Sequence, residues 1–389
     1  MKNIPVSWPT LNNKEISSVT KVLKEGWLGL GSYVEIFEKK LEKFLKNKKK
    51  FVCCVSTGSD ALLMSLMIAK VNRGDEVILP SLNFIAGAQA IKFIGAKPVF
   101  CDVEEKTLCL DVNKASKLIN KKTKAIIAVD YSGNLVDYEA LHKIKKKYKK
   151  IRIIQDAAHS FGSVYKNKRV GTFTDIVMFS FDPIKTITSI DGGAIVVNTK
   201  KELNELKAIR QLGFAVQPNV AFSRKKKIIS DVQLVGLQNR MTNVHAAIGI
   251  EQMKKIEQIL TKKKKLAKNY NRLFKNNSNI KIPNSDFNNV VPFIYYIRVK
   301  KQHRDNLRKF LRKKNILTGL HWTPNHIYSL FKKDRKGSMQ ITNNVAQELI
   351  SLPYYTNLKY SQQVKVCDLI NVFFKKKKIV NNEYYNYMH

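Results

Sequence analysis

One lysine stands apart in the segment MFSFDPIKTITSIDGG, residues 178–193. Lys185 follows an apolar, strand-like stretch and precedes a Gly-Gly pair, away from the lysine runs at KNKKK (46–50), KIKKKYKK (143–150), RKKK (224–227) and KKKK (262–265 and 375–378). A lysine desolvated at the end of a buried strand loses affinity for its proton, and its free amine can then condense with a carbonyl. An ordinary loop lysine would sit in water and do nothing of the kind. Upstream, IRIIQDAAHS (151–160) carries an apolar strand into Asp156, with His159 following. A carboxylate at a buried strand end costs on the order of several kcal/mol unless a cation or strong donors meet it. The plainer reading has Asp156 capping the next turn beside a polar His159.

A third candidate is STGSDAL (56–62), between the strand-like FVCCV and the helix-like ALLMSLMIA. A Thr-Gly-Ser turn entering a helix offers free N–H groups and hydroxyls at the positive end of the helix dipole, which suits a phosphate. Ser59 or Asp60 could equally be a simple N-cap. The turn is no Walker loop, because no Lys-Ser/Thr follows its glycine.

Together the three signals match what pyridoxal 5'-phosphate requires. The phosphate docks on the turn, an aspartate keeps the pyridine nitrogen protonated, and a lysine carries the aldehyde as a Schiff base. Phe84, in PSLNFIAGAQA after the strand-like DEVILP, could stack on the ring, or be a core residue at a helix start.

The elements that must position these residues are legible between about residues 50 and 200. Apolar runs at 51–56, 75–80, 97–103, 125–131, 151–158, 175–181 and 192–198 alternate with helical patterns such as ALLMSLMIAK, FIAGAQAIKFIG, VNKASKLIN and DYEALHKIKKKY. Continuous apolar strands alternating with helices predict a largely parallel sheet covered on both faces, an α/β domain whose ligand crevice lies at the carboxyl ends of the strands. A long helical segment over roughly 242–275 leads into a change of character. IKIPNSDFNNVVPFIYYIRVK reads as two strands about a turn, QHRDNLRKFLRKKNI as helix, LTGLHW as strand, and NNVAQELISL and QQVKVCDLINVFF as helices. The chain thus divides into a large domain, 1–259, and a smaller α+β domain, 260–389, with residues 1–25 available to pack on the latter.

Composition narrows the class further. The 389 residues contain 44% hydrophobic side chains, enough for a sizeable core, and no run nears the ~18 apolar residues of a membrane helix. A soluble, cytoplasmic protein is expected. The five cysteines lack CxxC spacing and mostly sit in strand-like stretches, so buried reduced thiols are expected and no metal site. The 70 Lys and Arg against 30 Asp and Glu give a formal charge of +40. These cations are spread along the chain on helical faces, without basic–aromatic interleaving or a nucleic-acid motif. We read them as solvated surface, with weak non-specific nucleic-acid binding at low salt.

GWLGLGSYVEIFEKKLEKF, STGSDALLMSL, GDEVILPSLNFIAGAQAIKFIGAKPVFCDV, TKAIIAVDYSGNLVDYEAL, QDAAHSFGSVYKNKRVGTFTDIVMFSFDPIKTITSIDGGAIVV, NRMTNVHAAIGIEQ and HWTPNH occur in this order. Through them the chain resembles, over nearly its whole length, the sugar-nucleotide aminotransferases of the DegT/DnrJ/StrS type, pyridoxal phosphate enzymes of aminotransferase fold type I.

The resemblance implies that Lys185 is the Schiff-base lysine and proton shuttle, Asp156 the pyridinium partner and His159 the neighbour of the ring hydroxyl. It assigns Gly58, Ser59 and the Asp60 backbone, with Ser180, to the phosphate, and Phe84 to the ring face. GLQNRM puts Gln238 where the family carries an asparagine that reaches the phosphate from the neighbouring subunit. By the same resemblance Gly26, Gly29 and Gly31 shape an entrance loop, since no predicted strand precedes them for a dinucleotide turn. His321 and His326 match a stretch near the active-site mouth, or are polar loop residues without catalytic duty.

The implied enzyme takes an amino group from glutamate or glutamine and passes it to a keto group of a nucleotide-linked sugar, within a homodimer with shared sites. Some of the lysines would meet the acceptor's pyrophosphate. A lyase or dehydratase on the same fold is the alternative, disfavoured by Lys185 because relatives with histidine there are dehydratases. A silent regulator or polyanion-binding protein is the alternative outside enzymes.

Overall fold

The computed structural model describes residues 3–214 and 231–386, with side chains through Lys375. The RKKK run at 224–227, and the side chains of the 375–378 run beyond its first lysine, lie outside the described residues.

In chain order the first half comprises α1 (Asn13–Glu25), α2 (Ser32–Leu45), β1 (Phe51–Val55), α3 (Gly58–Ile68), β2 (Glu76–Pro80), α4 (Ala86–Phe93), β3 (Lys97–Cys101), α5 (Val112–Leu118), β4 (Thr123–Val129), α6 (Tyr138–Lys147) and β5 (Arg152–Asp156). A two-residue hairpin, β6 (Val164–Tyr165) with β7 (Lys168–Arg169), precedes β8 (Ile176–Ser180), β9 (Gly193–Val197) and α7 (Lys200–Ile209). The seven apolar runs seen in the sequence are the seven strands of one sheet, ordered β1-β9-β8-β5-β4-β2-β3. Only β9 runs against the rest, antiparallel to both β1 and β8.

Side-chain alternation splits each strand between two cores. Cys53, Val55, Ile176, Met178, Ile195 and Val197 pack with α3, whose Leu62, Leu66 and Ile68 are buried. Val52, Cys54, Val177, Phe179, Ala194 and Val196 face the other way, onto α2 residues Val34, Phe37 and Leu41. All five cysteines are buried and free. No helix among the described residues is long and apolar enough to cross a membrane.

The second half contains α8 (Asn243–Lys254), α9 (Ile256–Phe274), β10 (Ile280–Lys281), β11 (Tyr295–Val299), α10 (Lys301–Lys313), α11 (Gln340–Glu348), β12 (Leu349–Leu352) and α12 (Tyr360–Asn386). Three departures from the sequence reading occur here. The expected long helix is two, broken at Lys255, whose φ of −111° and ψ of 16° leave the helical region. The end of NNVAQELISL is strand, because LISL pairs antiparallel with β11 and tertiary pairing overrides a helical pattern. LTGLHW is irregular and contributes only one isolated bridge, at Gly319.

α9 passes from one lobe into the other. Ile256, Ile259 and Leu260 pack in the core of the large sheet, while Leu266, Ala267, Tyr270 and Phe274 pack against the three-stranded sheet. Ile4 joins that second core and bridges to Ile316, and the Tyr354 N–H donates to the Val6 carbonyl. α1, by contrast, lies against α8.

Candidate active site

The carboxyl ends of β1, β2, β5 and β8 open onto one cavity of about 550 Å³, a size suited to a small cofactor and part of a substrate. Thr57, Gly58, Ser59, Asn83, Phe84, Asp156, His159, Ser180, Lys185 and Trp322 line it. Residues far apart in the chain meet here because parallel strands deliver their following loops to the same edge.

On the β1 side, Thr57 adopts an extended backbone and caps α3, its Oγ1 accepting the Asp60 N–H at 3.0 Å. The cap is therefore Thr57, and neither Ser59 nor Asp60. Asp60 lies off the cavity. Its N–H is used by Thr57, and its carboxylate accepts Ser56 Oγ at 2.6 Å, Thr57 Oγ1 at 2.8 Å and Asn239 Nδ2 at 2.9 Å. Gly58 and Ser59 open α3, where N–H groups precede the helical ladder, and both line the cavity. Gly58 must stay bare, since a Cβ there would lie 2.8 Å from Ser180 Cβ and Oγ.

Asp156 ends β5, buried, with Ala158 N–H on its Oδ1 at 3.1 Å. Burial raises its proton affinity, and the Ala158 N–H, the Lys185 charge and the Asn83 amide pull the other way. Lys185 is half-buried beyond β8. Burial pushes its amine down to about 8, while the Asp156 and Asp182 carboxylates oppose that shift. The Lys185 Nζ lies over the Phe293 ring, 4.1 Å from the centroid. The other face of the site is aromatic. His159 stacks on Phe293 at 4.5 Å and lies 6.1 Å from Trp322, whose ring meets Phe84 at 5.1 Å. Burial, then the charge on Lys185 and then His321, drives the His159 imidazole well below its usual proton affinity, so it is neutral.

Gly58, Ser59, Phe84, Asp156, His159, Ser180 and Lys185 are thus brought together. None of Gln238, His321 and His326 lines the cavity. Gln238 is exposed and off this cavity. His321 turns its Nδ1 to Ser351 Oγ at 2.7 Å, and burial followed by Lys185 lowers its ring to about 4. His326 is buried against Ser81 Oγ at 2.7 Å. Between those histidines, Trp322 is the residue that lines the cavity, and the sequence reading passed over it along with Thr57, Asn83 and Phe293. A tryptophan in an otherwise polar loop, HWTPNH, was the available signal.

The cavity fits pyridoxal phosphate on the chain's own atoms. The helix start beside Ser180 has no room for a side chain, as an anion cradle requires. His159 Nδ1 and Trp322 Nε1 are buried without a hydrogen-bond partner among the described residues. Such atoms call for a polar occupant.

An amine kept reactive opposite a buried carboxylate, at the strand ends of a mostly parallel mixed sheet, defines the class of pyridoxal phosphate enzymes built on aminotransferase fold type I. Comparison with known proteins carries this to the family. The model of the DegT/DnrJ/EryC1/StrS aminotransferase family matches residues 9–371, and the chain belongs to that family. GDP-perosamine synthase of Escherichia coli O157:H7 is 32% identical over 378 residues, covering 97% of this chain and 100% of that protein. GDP-perosamine synthase of Vibrio cholerae is 30% identical, over 95% and 99% of the two chains. Among solved structures, Helicobacter pylori PseC, an aminotransferase involved in the biosynthesis of pseudoaminic acid, superposes with a TM-score of 0.88 at 27% identity, over 96% of this chain and 100% of that one. The chain is an aminotransferase, and its cofactor is pyridoxal 5'-phosphate.

Proposed function

We propose that this aminotransferase moves an amino group from glutamate or glutamine to a keto group of a nucleotide-linked sugar, making an amino sugar for surface polysaccharide or glycoconjugates in the cytoplasm. The observation that carries the reading is the cavity itself, where the Lys185 amine, lowered to about 8, faces Asp156 at the end of β5. The sugar acceptor is supported by the two GDP-perosamine synthases it resembles.

When bound, pyridoxal phosphate supplies an aldehyde that takes up an amine and a ring that withdraws electrons from the attached carbon. The residues then divide the work. Gly58 and Ser59 N–H groups with Ser180 would hold the phosphate, and Asp156, as a carboxylate, would keep a proton on the ring nitrogen. Neutral His159 can donate to the ring oxygen, while Phe84 and Trp322 flank the ring and exclude water. Lys185 would hold the cofactor's aldehyde through its amine, and the same Nζ, with its proton affinity lowered to about 8, could accept and return a proton. Each half-reaction balances, because the donor leaves as its keto acid and the acceptor keto group becomes an amine.

We assign the chain to two lobes meeting within α9, and to a homodimer. Exposed Trp27, Leu28, Phe214, Val232 and Val235 offer apolar surface for a second copy, and Gln238 is free to reach a neighbouring site. A monodisperse monomer with full activity would contradict the dimer.

Lys185→Arg tests the site, since it keeps the charge and removes the primary amine. The parent should turn yellow on addition of pyridoxal phosphate and the variant should not. The acceptor is tested by loading the chain with pyridoxamine phosphate and following absorbance with UDP-, GDP- and dTDP-linked keto-sugars. No turnover with any nucleotide sugar, alongside turnover with simple keto acids, would sink the acceptor reading.

A further inference from the structure

A second amine lies behind the first. Lys263, inside the KKKK run at 262–265, is only 3% exposed. It stands on α9 between Leu260 and Leu266, where the helix passes from the core of the large sheet to that of the small one. Its Nζ reaches the Phe293 carbonyl at 3.4 Å and lies over the Tyr354 ring at 4.7 Å, and Tyr354 in turn donates its hydroxyl to the Lys263 carbonyl at 2.7 Å. No carboxylate pairs with it among the described residues. Phe293 thus has one lysine on its carbonyl and another, Lys185, on its ring.

We propose that Lys263 is a positioning residue for Lys185, holding from behind the phenylalanine on which the Lys185 amine rests and opposing, by its own charge, a second charge in the cavity. Lys263 does not line the cavity, so it acts through Lys185.

Both amines have lowered proton affinity. Burial, then the charge of Lys185, brings Lys263 to about 7, and Lys185 stands at about 8. The charge of Lys185 acts on Lys263, and such an interaction is reciprocal, so each disfavours the other's proton. Asp156 and Asp182 favour the charge on Lys185, Asp191 lines the same cavity, and His159 and His321 are neutral at pH 7. Lys263 is thus a cation set against Lys185 from behind Phe293. Midway between the two values the pair holds about one proton, and a proton on Lys263 shifts Lys185 toward its free amine.

The inference rests on reading Lys185 as the reactive amine, and three variants at Lys263 separate the roles. Lys263→Arg fixes the charge, Lys263→Gln keeps an N–H for the Phe293 carbonyl without charge, and Lys263→Met removes both. The full-length chain, without added cofactor, is trace-labelled with acetic anhydride across pH. Label on the Lys185 peptide is read by mass spectrometry against an exposed lysine. The expected order of Lys185 titration midpoints runs Arg lowest, then parent, then Gln and Met, with Arg and Gln separated by about one unit. Equal midpoints in Arg, Gln and parent would overturn the charge coupling, whatever Met does to the fold. Adding pyridoxal phosphate to the same samples tests the other premise. A parent chain that takes no visible colour sinks the reading of Lys185 while leaving the labelling order intact.

Discussion

Asp130 gives the sharpest test of how the strand end that carries Asp156 is held. Its carboxylate is fully buried and accepts four hydrogen bonds: Val136 N–H at 3.2 Å and Tyr138 hydroxyl at 2.6 Å on Oδ1, Gln155 Nε2 and Ser160 hydroxyl at 2.7 Å each on Oδ2. Its own N–H donates to the Asp156 carbonyl at 3.1 Å. Burial nevertheless outweighs these donors and lifts the carboxyl from 3.8 to about 6. At 1.36 kcal/mol per unit this is about 3 kcal/mol of differential stability. The sign follows from proton counting. Between those two values the folded chain holds a proton that the unfolded chain has lost, so this contribution is present below 3.8 and is lost as pH rises through 6.

Asp130→Asn removes the titration while keeping the shape. Its amide can face Ser160 and the Gln155 Oε1, which has no hydrogen-bond partner among the described residues. The parent should therefore lose up to about 3 kcal/mol relative to the variant between about pH 4 and pH 7.5 in urea unfolding. Taking the difference cancels other groups, Asp156 included. Stability curves for parent and variant that run parallel over this range would refute the reasoning.

Two further perturbations probe the scaffold around the site. Gly58→Ala drives a Cβ against Ser180, so pyridoxal phosphate uptake followed by absorbance should weaken by about tenfold, or about 1.4 kcal/mol; uptake equal to the parent's would count against the turn as the phosphate cradle. Arg210→Met leaves Glu38 buried without its cation, after loss of the 2.6 Å contact and of the bond to the Cys54 carbonyl at 2.8 Å. It should cost about 3–5 kcal/mol in urea unfolding, with part recovered by adding Glu38→Gln.

The large sheet was legible because every strand is a short apolar run buried on both faces, a pattern that survives without knowledge of neighbours. The site residues at strand ends were legible for the same reason, since the ends of such runs must form the crevice. The aromatic wall was not. Phe293 and Trp322 lie far along the chain, beyond α9, and only the fold sets them against His159. The LISL strand was hidden likewise, because its strand character comes from pairing with β11 and not from its own pattern.

Lys263 is the instructive miss, because its signal was present. Read as one of four consecutive lysines, it belongs to a solvated run, and such runs promise side chains that can be exchanged at little cost. Read by helical phase, it continues a stripe through Ile256, Ile259, Leu260, Leu266, Ala267, Tyr270 and Phe274, the buried face of α9. Composition argued for the first reading, since in a chain with 70 cations a lysine carries little information by identity. Phase is independent of composition, and it decides which of the four is inside. Phase does not find every such cation: Lys50 follows the end of α2 and is buried ahead of β1 with its amine on the Thr174 carbonyl at 3.1 Å and on Asn198. A lysine-biased sequence therefore hides its few buried amines among many exposed ones, and on a helix the periodicity of the surrounding apolar residues, more than the charge, tells them apart.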